Sequence, residues 1–527
     1  MKPGETQFKS EFNKTGIPGL DDIFKGGIQK GNTIVIEGTP GTGKTTFAFQ
    51  FMLAGLIEHE PAVFITFEQD PIKLKRDALS FGWDLAYYED QGLLKIIHTD
   101  PSVLLADLQN SDSIFNREIT THNTKRLVVD GLTPLRLQEE LSEPNIPYRH
   151  SLQLLFDSLR GFQIAVLLTN EIMQTPELGQ STMSHEQFLC DTVITLRQEA
   201  TRIKNTSRTI EIAKSRGQDF YTGRHTIRFE SNRGLVAYKR AQSPEALNED
   251  QPVSTDLVSI GCPDIDTMLG GGLYRGSASL VVGISGTGKT VLAVQALTAA
   301  AERGENCLLV TLDEHVEQIV RNASGLGFPI EKYLKSGQLH CMYDSPMELE
   351  LDVHFSKIAE AIDKYKIDLA VIDSISAYQS FMSCSPHEFV YALTTFLKNK
   401  SVTVIMNYEN PELIGISQIS KEFKVSPIVD NIILLNYVET GNRLRRAITV
   451  PKARGLAPSR ETCEYLIQHG GIKIITDFEH EETAVPQLPF SAYYGILGRS
   501  PMRRSPFHHM ENLSPKQKST IRDLVDG

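Results

Sequence analysis

Short, continuously apolar runs recur along the chain and alternate with longer stretches of helical periodicity. Thr33-Ile34-Val35-Ile36, Val63-Phe64-Ile65-Thr66, Arg126 to Val129 and Ala165-Val166-Leu167-Leu168 are four of them. Runs of this kind lack the in-out alternation of a half-exposed strand. They predict parallel strands buried on both faces by helices, that is, an α/β sheet.

The pattern then repeats. Gly38-Thr39-Pro40-Gly41-Thr42-Gly43-Lys44-Thr45 returns as Gly283-Ile284-Ser285-Gly286-Thr287-Gly288-Lys289-Thr290, an offset of 289 − 44 = 245. Thr15-Gly16-Ile17-Pro18-Gly19-Leu20-Asp21 is answered by Ser259 to Asp266, and Phe81-Gly82-Trp83 by Leu326-Gly327-Phe328. Two copies of one domain are therefore expected over residues 1–240 and 241–475, followed by a tail over 476–527. Ala241 to Pro252 is polar and carries prolines, as a linker should.

Composition narrows the class. A chain of 527 residues exceeds one ordinary core, and its net charge of −12 weighs against nucleic-acid binding by bulk electrostatics. The six cysteines form no CxxC pair, so neither a zinc ribbon nor a disulfide framework is supported. The N-terminus lacks a signal-peptide pattern, and no apolar run reaches the roughly 18–20 residues needed to span a bilayer. The chain reads as cytoplasmic, with neither membrane nor stable nucleic acid as partner.

In each copy an apolar strand runs into a glycine-rich loop that opens a helix. Backbone N–H groups of such a loop, with the helix N-terminus, form an anion cradle. The expected ATP-binding residues are Gly38, Thr39, Gly41, Thr42, Gly43, Lys44, Thr45 and Thr46 in the first copy. In the second they are Gly283, Ser285, Gly286, Thr287, Gly288, Lys289, Thr290 and Val291. Thr45 with Asp130, and Thr290 with Asp373, are the expected Mg²⁺ residues, each aspartate ending an apolar strand.

Glu68 and Asp313 each lie 24 residues after the loop lysine, at the exit of a predicted strand. That place suits a carboxylate that polarises a nucleophile for in-line attack on a γ-phosphate. The first copy reads Glu68-Gln69 and the second Asp313-Glu314, so the second has two candidate acids. Lys214-Ser215-Arg216-Gly217 and Lys452-Ala453-Arg454-Gly455 place two cations on one side of a strand, fit to neutralise a transferring phosphoryl group.

These residues in combination resemble the KaiC family of circadian-clock ATPases and autokinases, within the RecA-type proteins, through residue 475. The resemblance implies two tandem RecA-like P-loop NTPase domains, each a mostly parallel sheet with helices on both faces, plus the C-terminal tail. It implies a double-ring homohexamer with ATP between subunits, so that Lys214 and Arg216, or Lys452 and Arg454, act on a neighbour's nucleotide. It also implies slow ATP hydrolysis in the first ring and autophosphorylation in the second, serving timing or stress signalling.

The family's adjacent Ser-Thr acceptor pair falls on Ser426-Pro427 here, leaving Ser426 as the sole acceptor hydroxyl. Asp313 or Glu314 would take its proton. A small KaiB-like protein is a candidate partner. The residues beyond Tyr494 to Pro501 depart from the activator-responsive version, so an activator of the KaiA type is not expected. Two other readings share the nucleotide core: a nucleic-acid motor of the RecA or helicase type, and an ATP-assembled scaffold without kinase activity.

Overall fold

The computed structural model describes residues 11–110, 113–136, 148–162, 164–172, 185–200, 206–241, 254–380, 386–409, 427–440 and 443–475. The expected phosphoacceptor Ser426, the tail from 476 onward and most of the linker lie outside them. The chain divides into two compact units. One holds residues 1–241 with 347–360, the other 242–346 with 361–527.

The first unit is built on a nine-stranded sheet: β1 (Thr33–Gly38), β2 (Ala62–Thr66), β3 (Leu94–His98), β4 (Arg126–Asp130), β5 (Ala165–Glu171), β6 (Thr192–Ala200), β7 (Thr206–Ser215), β8 (Arg224–Glu230) and β9 (Gly234–Tyr238). Their order is β9-β8-β7-β6-β1-β5-β4-β2-β3. The six strands from β6 to β3 pair in parallel, and β7 to β9 extend the sheet antiparallel.

The continuous apolar runs have the predicted cause. On β1, Ile34 and Ile36 pack with Phe47 and Phe51 of helix α1 (Lys44–Ile57), whereas Val35 joins Leu152 and Phe156 of the helix Tyr148–Arg160. Alternate residues thus face two separate cores, one on each side of the sheet.

The second unit repeats the plan with β10 (Ala278–Gly283), β11 (Cys307–Thr311), β12 (Leu339–Tyr343), β13 (Leu369–Asp373), β14 (Thr403–Glu409), β15 (Asn431–Thr440), β16 (Arg443–Ala453), β17 (Thr462–Gln468) and β18 (Gly471–Ile475). Their order, β12-β11-β13-β14-β10-β15-β16-β17-β18, matches the first sheet strand for strand. The helix after its glycine loop is Lys289–Glu302.

One buried side chain ties each helix to the far edge of its sheet. Gln50 donates to the Leu235 carbonyl at 3.0 Å and accepts from the Leu235 N–H at 2.8 Å. Gln295 likewise accepts from the Ile472 N–H at the sheet edge (2.9 Å), and it donates to the Gly261 carbonyl (2.7 Å) as Gln50 does to that of Gly16 (3.3 Å). Among the described residues, Cys190, Cys262, Cys307 and Cys341 form no disulfide. Among the described residues, no helix is long and apolar enough to cross a membrane.

Candidate functional site

Both glycine loops leave the C-terminal end of the central strand and turn into a helix whose cap is a glycine with left-handed backbone. Gly43 has φ 106° and Gly288 φ 98°, and neither helix start is satisfied by a side-chain cap. The first-turn N–H groups therefore remain available to an anion. Only glycine fits there. A Cβ on Gly43 would meet the Phe229 ring at 2.8 Å, and one on Gly288 would meet Ile467 at 2.6 Å.

A cavity of about 370 Å³ opens over the first loop, lined among others by Gly41, Gly43, Lys44, Thr45, Thr46, Glu68, Gln69, Asp130, Glu171 and Phe229. Lys44 is anchored by the Gly38 and Thr39 carbonyls at 2.9 and 3.1 Å. Lys289 takes the same bonds to Gly283 and Ile284, at 2.9 and 3.0 Å. Burial holds both ammonium groups below the usual lysine range, opposed chiefly by Glu171 at Lys44 and Glu409 at Lys289. A desolvated cation beside a ring of backbone donors calls for a phosphate.

The strand-end aspartates meet the loop threonines. Thr45 Oγ1 donates to Asp130 at 2.9 Å and Thr290 Oγ1 to Asp373 at 2.7 Å. Burial pushes both carboxyls above their usual range, with Thr169 and Thr45 opposing at Asp130, and Thr290 and Asn407 at Asp373. A buried carboxylate sharing a hydroxyl partner is a donor set that fits a hard divalent cation with its own waters and phosphate oxygens completing the shell. Among the described residues there is no group of three His, Cys, Asp or Glu side chains able to hold a metal without such help.

Glu68 and Gln69 line the same cavity. In the second unit Asp313 accepts a 2.8 Å bond from Ser374. Burial raises the Glu314 carboxyl above its usual range, with Asp373 and Asp313 adding to the effect.

The cation pairs lie elsewhere. Lys214 donates to the Gln187 and Cys190 carbonyls at 2.9 and 2.7 Å, at the end of helix α2 (His185–Leu189). Arg216 reaches the Phe188 carbonyl at 3.1 Å and Asp191 at 3.4 Å. Because Lys214 pairs with Val193, and Val193 with Val35, the pair sits toward the start of β1, away from the loop that follows Gly38. It does not line the cavity of its own chain.

Lys452 repeats the arrangement on the Val429 carbonyl at 2.7 Å, its amine pushed down to about 8 by burial and the nearby Arg454. Arg454 reaches the Pro427 carbonyl at 2.8 Å, one residue beyond Ser426.

The sequence reading missed Glu171 and Glu409. Each ends the strand beside the loop strand, as Cα partner of Gly38 and Gly283 respectively. The signal was present but out of step: 409 − 171 = 238, against the loop offset of 245.

A family model described as "ATPase: KaiC" matches residues 13–242 and 258–479. The circadian clock protein KaiC3 of Synechocystis sp. is 30% identical over 505 residues, covering 93% of this chain and 94% of that protein. The circadian clock oscillator protein KaiC of Parathermosynechococcus lividus is 33% identical over 485 residues, covering 90% and 87%. That of Thermostichus vulcanus is 32% identical over 496 residues, covering 92% and 93%.

Proposed function

From the premise that the chain belongs to the KaiC family of ATPases, we propose that it binds ATP at both glycine loops, hydrolyses it in the first domain and phosphorylates its own Ser426 in the second. The observation that carries this reading is the repeated constellation of loop lysine, loop threonine and strand-end aspartate, Lys44-Thr45-Asp130 and Lys289-Thr290-Asp373. Mg²⁺, held through Thr45 and Asp130 or Thr290 and Asp373, would neutralise charge on the β- and γ-phosphates.

In the first domain the Glu68 carboxylate accepts a proton from water as its oxygen bonds to the γ-phosphorus. The bond from that phosphorus to the bridging oxygen breaks, and ADP leaves with the electron pair. In the second domain the Ser426 hydroxyl takes the place of water and its proton passes to Glu314 or Asp313. Pro427 has no acceptor, so the domain carries a single-site switch rather than a two-site cycle.

The placement of Lys214 and Arg216 away from their own loop supports action on a neighbouring subunit's nucleotide, as a ring-shaped homohexamer requires. Domain bounds of 1–240 and 241–475 and a timing or signalling role, with a small KaiB-like partner, complete the proposal.

Incubation with γ-labelled ATP and Mg²⁺, followed by site mapping, tests it. Label on Ser426 that disappears in Ser426→Ala, with phosphate release that falls in Glu68→Gln, is the expected result. Label absent from the wild type, or equal in Ser426→Ala, would overturn the kinase half. Phosphate release that persists in Glu68→Gln would overturn the assigned base.

A further inference from the structure

The loop lysine of the first domain faces a carboxylate that neither the motif nor the proposed chemistry uses. Glu171 Oε1 stands 3.7 Å from Lys44 Nζ, with the glutamate side chain 39% exposed and the lysine 12%. Glu171 ends β5 as the Cα partner of Gly38, the residue that opens the loop, so the sheet register fixes it at the mouth of the phosphate cradle. The strand register recurs in the second domain. Glu409 ends β14 as the partner of Gly283 and is the largest of the charges that act on Lys289 to favour its ammonium form.

A carboxylate in this place has two consequences. In the empty site it compensates an ammonium that burial would otherwise penalise, and keeps it aimed at the loop mouth. When a polyphosphate enters, the same carboxylate stands beside a second anion and must give up the lysine. Asp130 and Glu68 also face Lys44, but the first is committed to Thr45 and Thr169, and the second projects from the exit of β2.

We infer that Glu171, and Glu409 in the second domain, are displaceable counter-ions of the loop lysines, positioning residues that hold the empty site ready and are exchanged for phosphate when nucleotide binds. The inference rests on the reading of the loops as nucleotide sites. It assigns these residues no proton transfer; their effect is to weaken nucleotide binding, so that release after turnover is not blocked by an unopposed lysine.

The test uses the full chain carrying Lys289→Ala, so that calorimetric titration with MgATP and with MgADP reads the first site. Glu171→Gln should bind both nucleotides about three- to tenfold more tightly, the range of one partly screened charge pair. The KM for ATP should fall in parallel. Glu171→Asp, which keeps the charge, should stay within about twofold of the parent.

Unchanged or weaker binding in Glu171→Gln would overturn the inference. Unchanged binding with phosphate release abolished would overturn it in favour of Glu171 as a proton acceptor. If the parent chain itself bound no nucleotide, the reading of the loop would fall and the inference with it.

Discussion

The Ser374 hydroxyl donates a hydrogen bond to the Asp313 carboxylate at 2.8 Å. At the same place in the first domain, directly after Asp130, stands Gly131, which brings no hydroxyl toward Glu68. The acid that matches Glu68 in position is therefore partnered in the second domain. Its neighbour Glu314 has its carboxyl raised by burial and by two other carboxylates. A carboxylate with raised proton affinity is the better acceptor near neutral pH. Glu314→Gln should therefore lower phosphate incorporation by at least about 100-fold and Asp313→Asn by less, the lower bound of a lost general base. Incorporation over the first minutes of reaction measures both, and the reverse ranking would assign the base to Asp313.

The second glycine loop is clamped where the first is open. Tyr437 Oη donates to the Gly286 carbonyl at 2.8 Å and Arg446 Nε to the same oxygen at 3.3 Å. Among the described residues other than its chain neighbours, none comes within 4 Å of where a Cβ on Gly41, the matching residue, would lie. Loop ordering before binding reduces the entropy lost on binding. Tyr437→Phe should weaken ATP binding at the second site by about fivefold, the worth of one neutral hydrogen bond. Titration in a Lys44→Ala background reads this, and unchanged affinity would show that the clamp does not order the loop.

Gln50 is the brace between the phosphate helix and the sheet edge. Gln50→Leu would strand the Leu235 N–H and the carbonyls it now satisfies, inside the core. A loss of about 2–3 kcal/mol in the first domain's unfolding free energy is expected from buried unsatisfied groups. Denaturant titration checks it, and a change under about 0.5 kcal/mol, the surface-substitution level, would mean the site relaxes or takes in water.

His225 is buried and uses both ring nitrogens. Nε2 lies 3.0 Å from the Tyr221 carbonyl, and Nδ1 accepts the Arg240 N–H at 2.9 Å. This arrangement fixes a neutral ring, and burial lowers its pKa, with Lys239 and Arg240 adding to the effect and Glu211 opposing it. Between the folded value and the ordinary value of about 6.5, the unfolded chain binds more protons. The resulting stability is present above pH 6.5 and lost as pH falls toward the folded value. The first domain's melting temperature should drop between pH 7.5 and 5.5, and His225→Gln should flatten that slope. An equal slope in the variant would assign it to other groups.

The parallel core was legible because its strands are buried on both faces: Val35 and its neighbours Ile34 and Ile36 are all apolar although they face opposite sides. The loops and strand-end aspartates were legible because the proposed phosphate and magnesium chemistry restricts residue type at fixed spacing. Glu171 and Glu409 were not, since their link to the lysines is a cross-strand register, and loops of unequal length shift them from a repeat offset of 245 to one of 238. Ser374 and Tyr437 were equally hidden. A hydroxyl beside a carboxylate or a loop carbonyl is created by the fold, and nothing in local patterning marks it.

On the proposed function, one chain holds two nucleotide sites of the same construction. Equilibrium dialysis of labelled ATP with Mg²⁺ against the full chain tests it most directly. Two ATP per chain are expected in the wild type, one in either Lys44→Ala or Lys289→Ala, and none when both are changed. One ATP in the wild type, or two surviving either single substitution, would contradict it.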